Sequence, residues 1–137
     1  MRESLLDTDT LSAIIKGQDA TVQERAARYL SQYGSFAFSL ITRYEILRGL
    51  KARDAVAQIT AFDIRCRVSE VLPVRDSIMM KAAELYPILR LQGAPLGDAD
   101  LIIAATALMH DLTLVTTRTS DFSLVPGLVV DCWTAER

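Results

Sequence analysis

The chain has a single histidine, His110. Chemistry that needs two imidazoles, such as the paired acid and base of metal-free ribonucleases, is therefore excluded. A Ser-His-Asp triad would have to use His110, which stands beside Asp111 at the expected end of a helix. A surface or helix-capping role suits it better. The two cysteines, Cys66 and Cys132, are far apart and form no CxxC pair, so a zinc or redox motif is not expected and reduced thiols are. No apolar run approaches the length of a membrane span. The N-terminus, Met1-Arg2-Glu3-Ser4 and then two leucines, does not follow the pattern of a signal peptide. A cytoplasmic location away from any membrane is the expectation. A net positive charge is also lacking: the formal charge is -2, so no bulk field draws in nucleic acid. Contact with nucleic acid would need a local basic cluster or a bound cation. Aromatics make up 7% and do not interleave with basic residues, so no platform for stacking bases is evident. Repeats, low-complexity tracts and Pro/Gly-rich linkers are absent too, so residues 1–137 are expected to form a single domain.

What is present is a short-period alternation of strands and helices. Ser4 to Leu6 read as a strand that enters the core. Thr8 or Asp9 then caps a helix to Lys16, stopped by Gly17. A helix from Thr21 ends at Gly34, with Val22, Ala26, Tyr29 and Leu30 on one face. Phe36 to Phe38 form a second strand, Ser39 opens a helix through LITRYEILRGL, and helix continues from Asp54 to Arg67. Glu70 to Val74 is a third strand, broken at Pro73. Asp76 caps a helix to Gln92 that Pro87 is expected to kink. GAPLGDAD leads into a helix from Asp100 to Met109. Leu112 to Thr116 is a buried strand, and Leu128 to Val130 an edge strand. This order predicts an α/β fold of three layers, α/β/α, around a short and mostly parallel sheet. In such sheets ligands bind at the carboxyl ends of the strands, where the strand order reverses.

That rule directs attention to LLDTDTL, residues 5–11. Asp7 falls at the end of the first strand, Asp98 and Asp100 at the start of a helix, and Thr116 and Thr117 at the end of a later strand. LLDTDTL resembles the opening motif of the haloacid dehalogenase superfamily, in which the first Asp is the nucleophile and the second the acid/base. On that alternative Asp7 attacks a phosphoryl group. The second acidic motif, GDAD, does not fit: it follows QGAPL, which cannot be a central strand. Nor does any lysine take up a phosphate-binding position, since Lys81 lies inside an amphipathic helix.

Four segments taken together, LLDTDTLSAII, SLITRYEILRGL, GAPLGDADLIIAATALMHDLTLVTTRTSDF and VPGLVVDCW, resemble the PIN-domain family, toxins of the VapC type. ADLIIAATA followed by LTLVT is the most specific piece. The resemblance implies a PIN-like fold and an endoribonuclease using Mg2+, with Mn2+ as a substitute. It also implies a VapB-like antitoxin encoded beside it and a two-fold homodimer. The family's acids fall on Asp7, Glu45 and Asp100, which are then the expected catalytic residues and metal ligands. Asp98 is an additional acid. The family's fourth polar position falls on Arg118, a departure: Arg118 either meets a phosphate or pairs with a site carboxylate and depresses activity. Asp121 matches the acid of the DF pair that follows the site. A PIN-like interaction module with a decayed site is the non-enzymatic alternative.

The chemistry has its own logic. Without a histidine pair, phosphodiester hydrolysis can draw on a divalent cation, both to acidify water and to act as a Lewis acid. Three carboxylates within ~5 Å would repel by roughly 3 kcal/mol per pair at an effective dielectric near 20, so such a cluster needs a cation or protons. Each acid also has a structural role open to it. Asp7 and Asp98 fit helix caps, and Asp9 suits a cap or a ligand-orienting group. Thr42-x-x-Glu45 reads as a capping box. Asp100 suits the positive end of a helix dipole. Thr116 and Thr117 fit either orienting water or phosphate, or packing at a strand end. Arg43, Arg48, Lys51 and Arg53 fit a basic rim for RNA read by shape and phosphate contacts, or a solvated face. The apolar faces of TVQERAARYL and of the Glu45 helix fit an antitoxin groove, or simply core.

Overall fold

The computed structural model describes residues 1–134. In chain order the elements are β1 (Ser4–Leu6), α1 (Thr8–Lys16), α2 (Ala20–Tyr33), β2 (Ala37–Ser39), α3 (Leu40–Ala52) and α4 (Val56–Arg67). There follow β3 (Glu70–Leu72), α5 (Asp76–Leu91), α6 (Asp98–Met109), β4 (Thr113–Val115), α7 (Thr119–Phe122) and β5 (Val130–Asp131). β4 pairs in parallel with both β1 and β5, and β2 pairs in parallel with β3. β2 runs beside β1 without a ladder between them. The Tyr29 hydroxyl takes over part of that task, accepting from Ser4 N at 2.9 Å and donating to Ser4 O at 3.2 Å. The spatial order is therefore β3, β2, β1, β4, β5, and it reverses between β1 and β4.

Alternation along the strands builds a core on each face. Leu5 and Leu114 pack with α5 and α6 through Ile78, Leu85, Leu89 and Ile103. Leu6, Phe38 and Val115 pack on the other side with Leu11, Val22, Tyr29 and Phe62 from α1, α2 and α4, and with Trp133. This is the expected three-layer α/β/α arrangement. No helix among the described residues is long and apolar enough to cross a membrane.

Several local expectations are corrected. Asp7, not Thr8 or Asp9, caps α1: its Oδ1 accepts from Thr8 N at 2.7 Å. α2 starts at Ala20 under an Asp19 cap, whose Oδ1 accepts from Thr21 N and Val22 N. Asp76 lies in the first turn of α5 and does not cap it, and α6 begins at Asp98 behind Gly97. Thr42-x-x-Glu45 is not a capping box, because α3 has already started under Ser39, whose Oγ accepts from Ile41 N. Asp54 is a left-handed turn residue with φ 49°, so α4 starts at Val56. β3 stops at Leu72, since Pro73 has no N–H to give the ladder. α5 is continuous through Pro87, which is exposed, so water can take the carbonyl it frees. β4 is shorter than expected, α7 was not anticipated, and the last strand is shifted to Val130–Asp131 because Leu128 N is turned back onto Val125 O.

Candidate active site

Two apolar leucines draw β1 into the sheet, and the ladder ends where Asp7 N donates to Val115 O at 2.8 Å. The next group along is the Asp7 carboxylate, fully buried at the carboxyl end of β1. Its Oδ2 accepts from Thr116 Oγ1 at 2.7 Å, a hydroxyl supplied by the carboxyl end of the neighbouring β4. Asp7 and Thr116 thus flank the point where the strand order reverses. Burial pushes the Asp7 carboxyl above its ordinary range, against the opposing pull of Thr116, Arg118 and the Thr8 amide.

Arg118 occupies the centre. Its backbone N donates to Thr116 Oγ1, and its guanidinium reaches three carboxylates. Nη1 and Nη2 fork onto Asp100 at 3.0 and 2.9 Å, Nη2 also reaches Asp7 Oδ2 at 3.2 Å, and Nε donates to Asp9 Oδ2 at 2.9 Å. Asp121 Oδ2 stands farther off, at 3.7 Å. The forked bond to Asp100, first among several causes, holds the guanidinium firmly protonated, above its already high ordinary value. One face of it lies 5.5 Å from the Phe122 ring. Asp7 and Asp100, 93 positions apart, therefore share one nitrogen.

Glu45 joins from α3. Its Oε1 accepts from Thr8 Oγ1 at 2.7 Å, and Thr8 Oγ1 is 3.0 Å from Thr42 Oγ1. A hydroxyl has one proton and the carboxylate only accepts, so Thr42 supplies the hydrogen of the second bond. Thr8, Asp9, Glu45, Asp98, Asp100 and Arg118 line a single open cleft of about 430 Å³. Asp98 is exposed at its mouth. His110 is exposed at the far end of α6, about 15 Å along the helix from Asp100 at 1.5 Å per residue, which removes the triad. Asp98 and Asp100 open a helix after a loop and do not end a strand, so the dehalogenase alternative keeps only its first motif.

Residue patterning left Asp9 between two roles and missed the Thr8–Thr42 hydroxyl pair. Asp9 faces the cleft, held by Arg118 and by Thr117 Oγ1 at 3.2 Å, and does not cap the helix. The Thr8–Thr42 hydroxyl pair carried no signal beyond the position of Thr8 directly after Asp7. The basic residues around Glu45 also part company. Arg48 stays beside Glu45, with Nη2 3.9 Å from Oε2, while Arg43 and Lys51 line a recess toward Cys66 and Arg53 lines a groove on another flank.

The PIN domain family profile matches residues 4–128. The chain belongs to the PIN domain family. The tRNA(fMet)-specific endonuclease VapC of Shigella flexneri is 28% identical over 137 residues, covering 97% of this chain and 99% of that protein. Ribonuclease VapC1 of Haemophilus influenzae strain R2866 is 27% identical over 131 residues, covering 95% and 97%. A crystal structure of DNA-bound VapBC from Salmonella typhimurium contains a chain that superposes with a TM-score of 0.79 at 27% identity, covering 97% of this chain and 99% of that one.

For this PIN domain the donor chemistry suits a hard divalent cation. The cleft offers carboxylate and hydroxyl oxygens, with no thiolate or imidazole. It already holds one cation, the Arg118 guanidinium, and with a single charge that guanidinium balances only one of the three carboxylates it touches. With Arg118 in place, no group of three Asp, Glu, His or Cys side chains among the described residues is disposed to hold an ion.

Proposed function

We propose that residues 1–137 form one metal-dependent endoribonuclease domain, the toxin of a toxin–antitoxin pair, working with Mg2+ or with Mn2+ in its place. The observation that carries this reading is the meeting of Asp7 and Asp100 on one nitrogen at the strand-order reversal, with Glu45 lining the same cleft. Asp7, Asp100 and Glu45 would hold the cation. When bound, it supplies Lewis acidity to the phosphoryl oxygens and acidifies water. The chain supplies the positioning. Thr8 N and Thr116 Oγ1 fix the two oxygens of Asp7, so its carboxylate costs no reorganisation when RNA arrives. Thr8 Oγ1 fixes Oε1 of Glu45, which leaves Oε2, 3.9 Å from Arg48 Nη2, as the atom that would take a proton from water. Asp98 at the rim and Asp121 beyond Arg118 are outer acids. RNA meets Arg48 next to Glu45, and the remaining basic residues form separate patches, not one rim.

The antitoxin partner docks in a groove that uses the Glu45 helix, α3, as the sequence suggested, but not α2. α2 turns Val22, Ala26 and Tyr29 into the core. The open groove, about 520 Å³, lies between α1, α3 and α4, with Ile15, Ile46, Leu50 and Phe62 as its apolar lining and Lys16, Arg53 and Arg65 as its charged edge. It shares Thr8 and Glu45 with the cleft, so an amphipathic helix seated there would block the site. Exposed Leu40 and Tyr44 on α3 and Met79 and Met80 on α5 supply apolar surface for a homodimer in the cytoplasm.

The test is RNA cleavage by protein freed of any copurified antitoxin, with Mg2+, Mn2+ or chelator, comparing Asp100→Asn and Asp98→Asn. Cleavage that needs the cation and falls by about 10²-fold or more in Asp100→Asn, with a smaller loss in Asp98→Asn, supports the reading. Cleavage that survives chelator or Asp100→Asn refutes it. Turnover of p-nitrophenyl phosphate dependent on Asp7 would restore the phosphatase, and silence on both substrates would leave an interaction module.

A further inference from the structure

Arg118 does more than neighbour the acidic cluster. Its three guanidinium nitrogens bond to Asp7, Asp9 and Asp100 together. These carboxylates come from the β1–α1 junction and from the start of α6, while Arg118 comes from the β4–α7 loop. Carboxylates this close repel one another unless a cation stands among them, and in the metal-free protein that cation is Arg118. It sits on the oxygens an incoming ion needs, since Asp7 Oδ2 and both oxygens of Asp100 point at its nitrogens.

The guanidinium is also placed to leave. Its side chain is 36% exposed, unlike Asp7 beneath it, which is fully buried. Its loop continues into α7, a helix of only four residues. Asp121, half exposed and 3.7 Å from Nη1, offers a carboxylate to go to. Asp7 also accepts from Thr8 N and Thr116 Oγ1, bonds that do not involve the guanidinium.

We infer that Arg118 is an internal counter-ion that sets the affinity of this site for metal: its guanidinium holds Asp7, Asp9 and Asp100 together until a divalent cation displaces it. The inference rests on the metal-nuclease reading and adds a competition to it. Metal entry exchanges a monovalent organic cation for a divalent one, so the protein is poised between two charged states of the same cluster. A second consequence is that the metal-free form is the more stable for having Arg118.

Calorimetric titration of the chelator-stripped full chain with Mn2+ tests this, alongside Arg118→Gln and Arg118→Lys. Arg118→Gln should bind Mn2+ about tenfold tighter or more, equal to ~1.4 kcal/mol. Arg118→Lys, which keeps the charge and loses the fork, should fall between it and the unchanged protein. In chelator, Arg118→Gln should melt below the parent, and saturating Mn2+ should close that gap. A measurement on the parent alone covers the case in which the variants fail to fold: the Arg118 Nε–H resonance, bonded to Asp9, should move toward that of a solvent-exposed arginine as Mg2+ is added. Equal or weaker Mn2+ binding by Arg118→Gln, or an Arg118 resonance unmoved at saturating Mg2+, overturns the inference and leaves the nuclease reading standing. Failure of parent and variants alike to bind Mn2+ overturns both.

Discussion

Replacing Thr8 with valine keeps the shape of the side chain and deletes one oxygen, the one that ties Glu45 to the site. The structure sets the size of the effect. Thr8 Oγ1 donates to Glu45 Oε1 at 2.7 Å, a charge-assisted bond, and is the partner of Thr42 Oγ1, whose residue is fully buried. Leaving a buried hydroxyl without a partner costs about 1–3 kcal/mol. The Glu45 side chain is 23% exposed, so water repays part of its loss. A net destabilisation of about 2 kcal/mol follows, and in a chain of this size that lowers the melting temperature by about 8 °C. Activity should fall further than stability explains, because Glu45 loses its fixed orientation: kcat drops about 10- to 100-fold, the scale seen when a group that orients a metal ligand is removed. Thermal unfolding followed by circular dichroism and single-turnover RNA cleavage below the melting range measure the two separately. Thr8→Ser, which restores the hydroxyl, should recover most of both. Thr42→Val keeps the Thr8–Glu45 bond and should cost less in kcat than Thr8→Val. Unchanged kcat in Thr8→Val, or an equal loss in Thr42→Val, would refute the hydroxyl tether.

The remaining predictions concern parts of the molecule away from the cleft. Tyr29→Phe removes the hydroxyl that serves both Ser4 N and Ser4 O between β1 and β2. It should cost about 2 kcal/mol by urea denaturation and leave RNA cleavage intact at low temperature, since two buried backbone groups lose their partner; an unchanged midpoint would show that β1 needs no such brace. Burial pushes the Cys66 thiol above its ordinary range, with Arg43 pulling the other way. A raised value means less thiolate at a given pH, so alkylation of Cys66 by iodoacetamide at pH 8 should be slower than that of glutathione and should keep rising at pH values where an ordinary thiol levels off. Reaction as fast as glutathione would contradict the burial assigned to it.

The legible parts of the fold share a physical character. Leu5-Leu6 and Leu114-Val115 are short apolar runs that suit strands buried on both faces, while their register, Leu5 to Leu114 and Leu6 to Val115, came only with the structure. Gly17, at φ 68°, ends α1 where a side chain would be strained, and it could be read as a stop without any contact being known. Asp7 and Asp100 were marked by their placement beside apolar runs, whereas Glu45 was marked only by the resemblance to the PIN-domain family. Caps were less legible because they turn on a single residue: Asp7 and not Asp9 caps α1, since the last ladder bond, Asp7 N to Val115 O, leaves the next carboxylate at the helix start.

Sequence alone determined the layered α/β architecture, the order of its elements and which acids stand at their ends, because periodicity, turn residues and chain-local charge act over a few residues. Tertiary structure alone decided what those acids meet. Arg118 lies 111 positions from Asp7 and 18 from Asp100, and nothing local says that one guanidinium will span both. That outcome depends on β4 entering the sheet beside β1, so that the loop after one strand reaches the carboxylate after the other. The same long-range packing turned Val22, Ala26 and Tyr29 of α2 inward and left the Glu45 helix, α3, to line a groove with α1 and α4, since a helix face becomes core or surface only when its neighbours are in place.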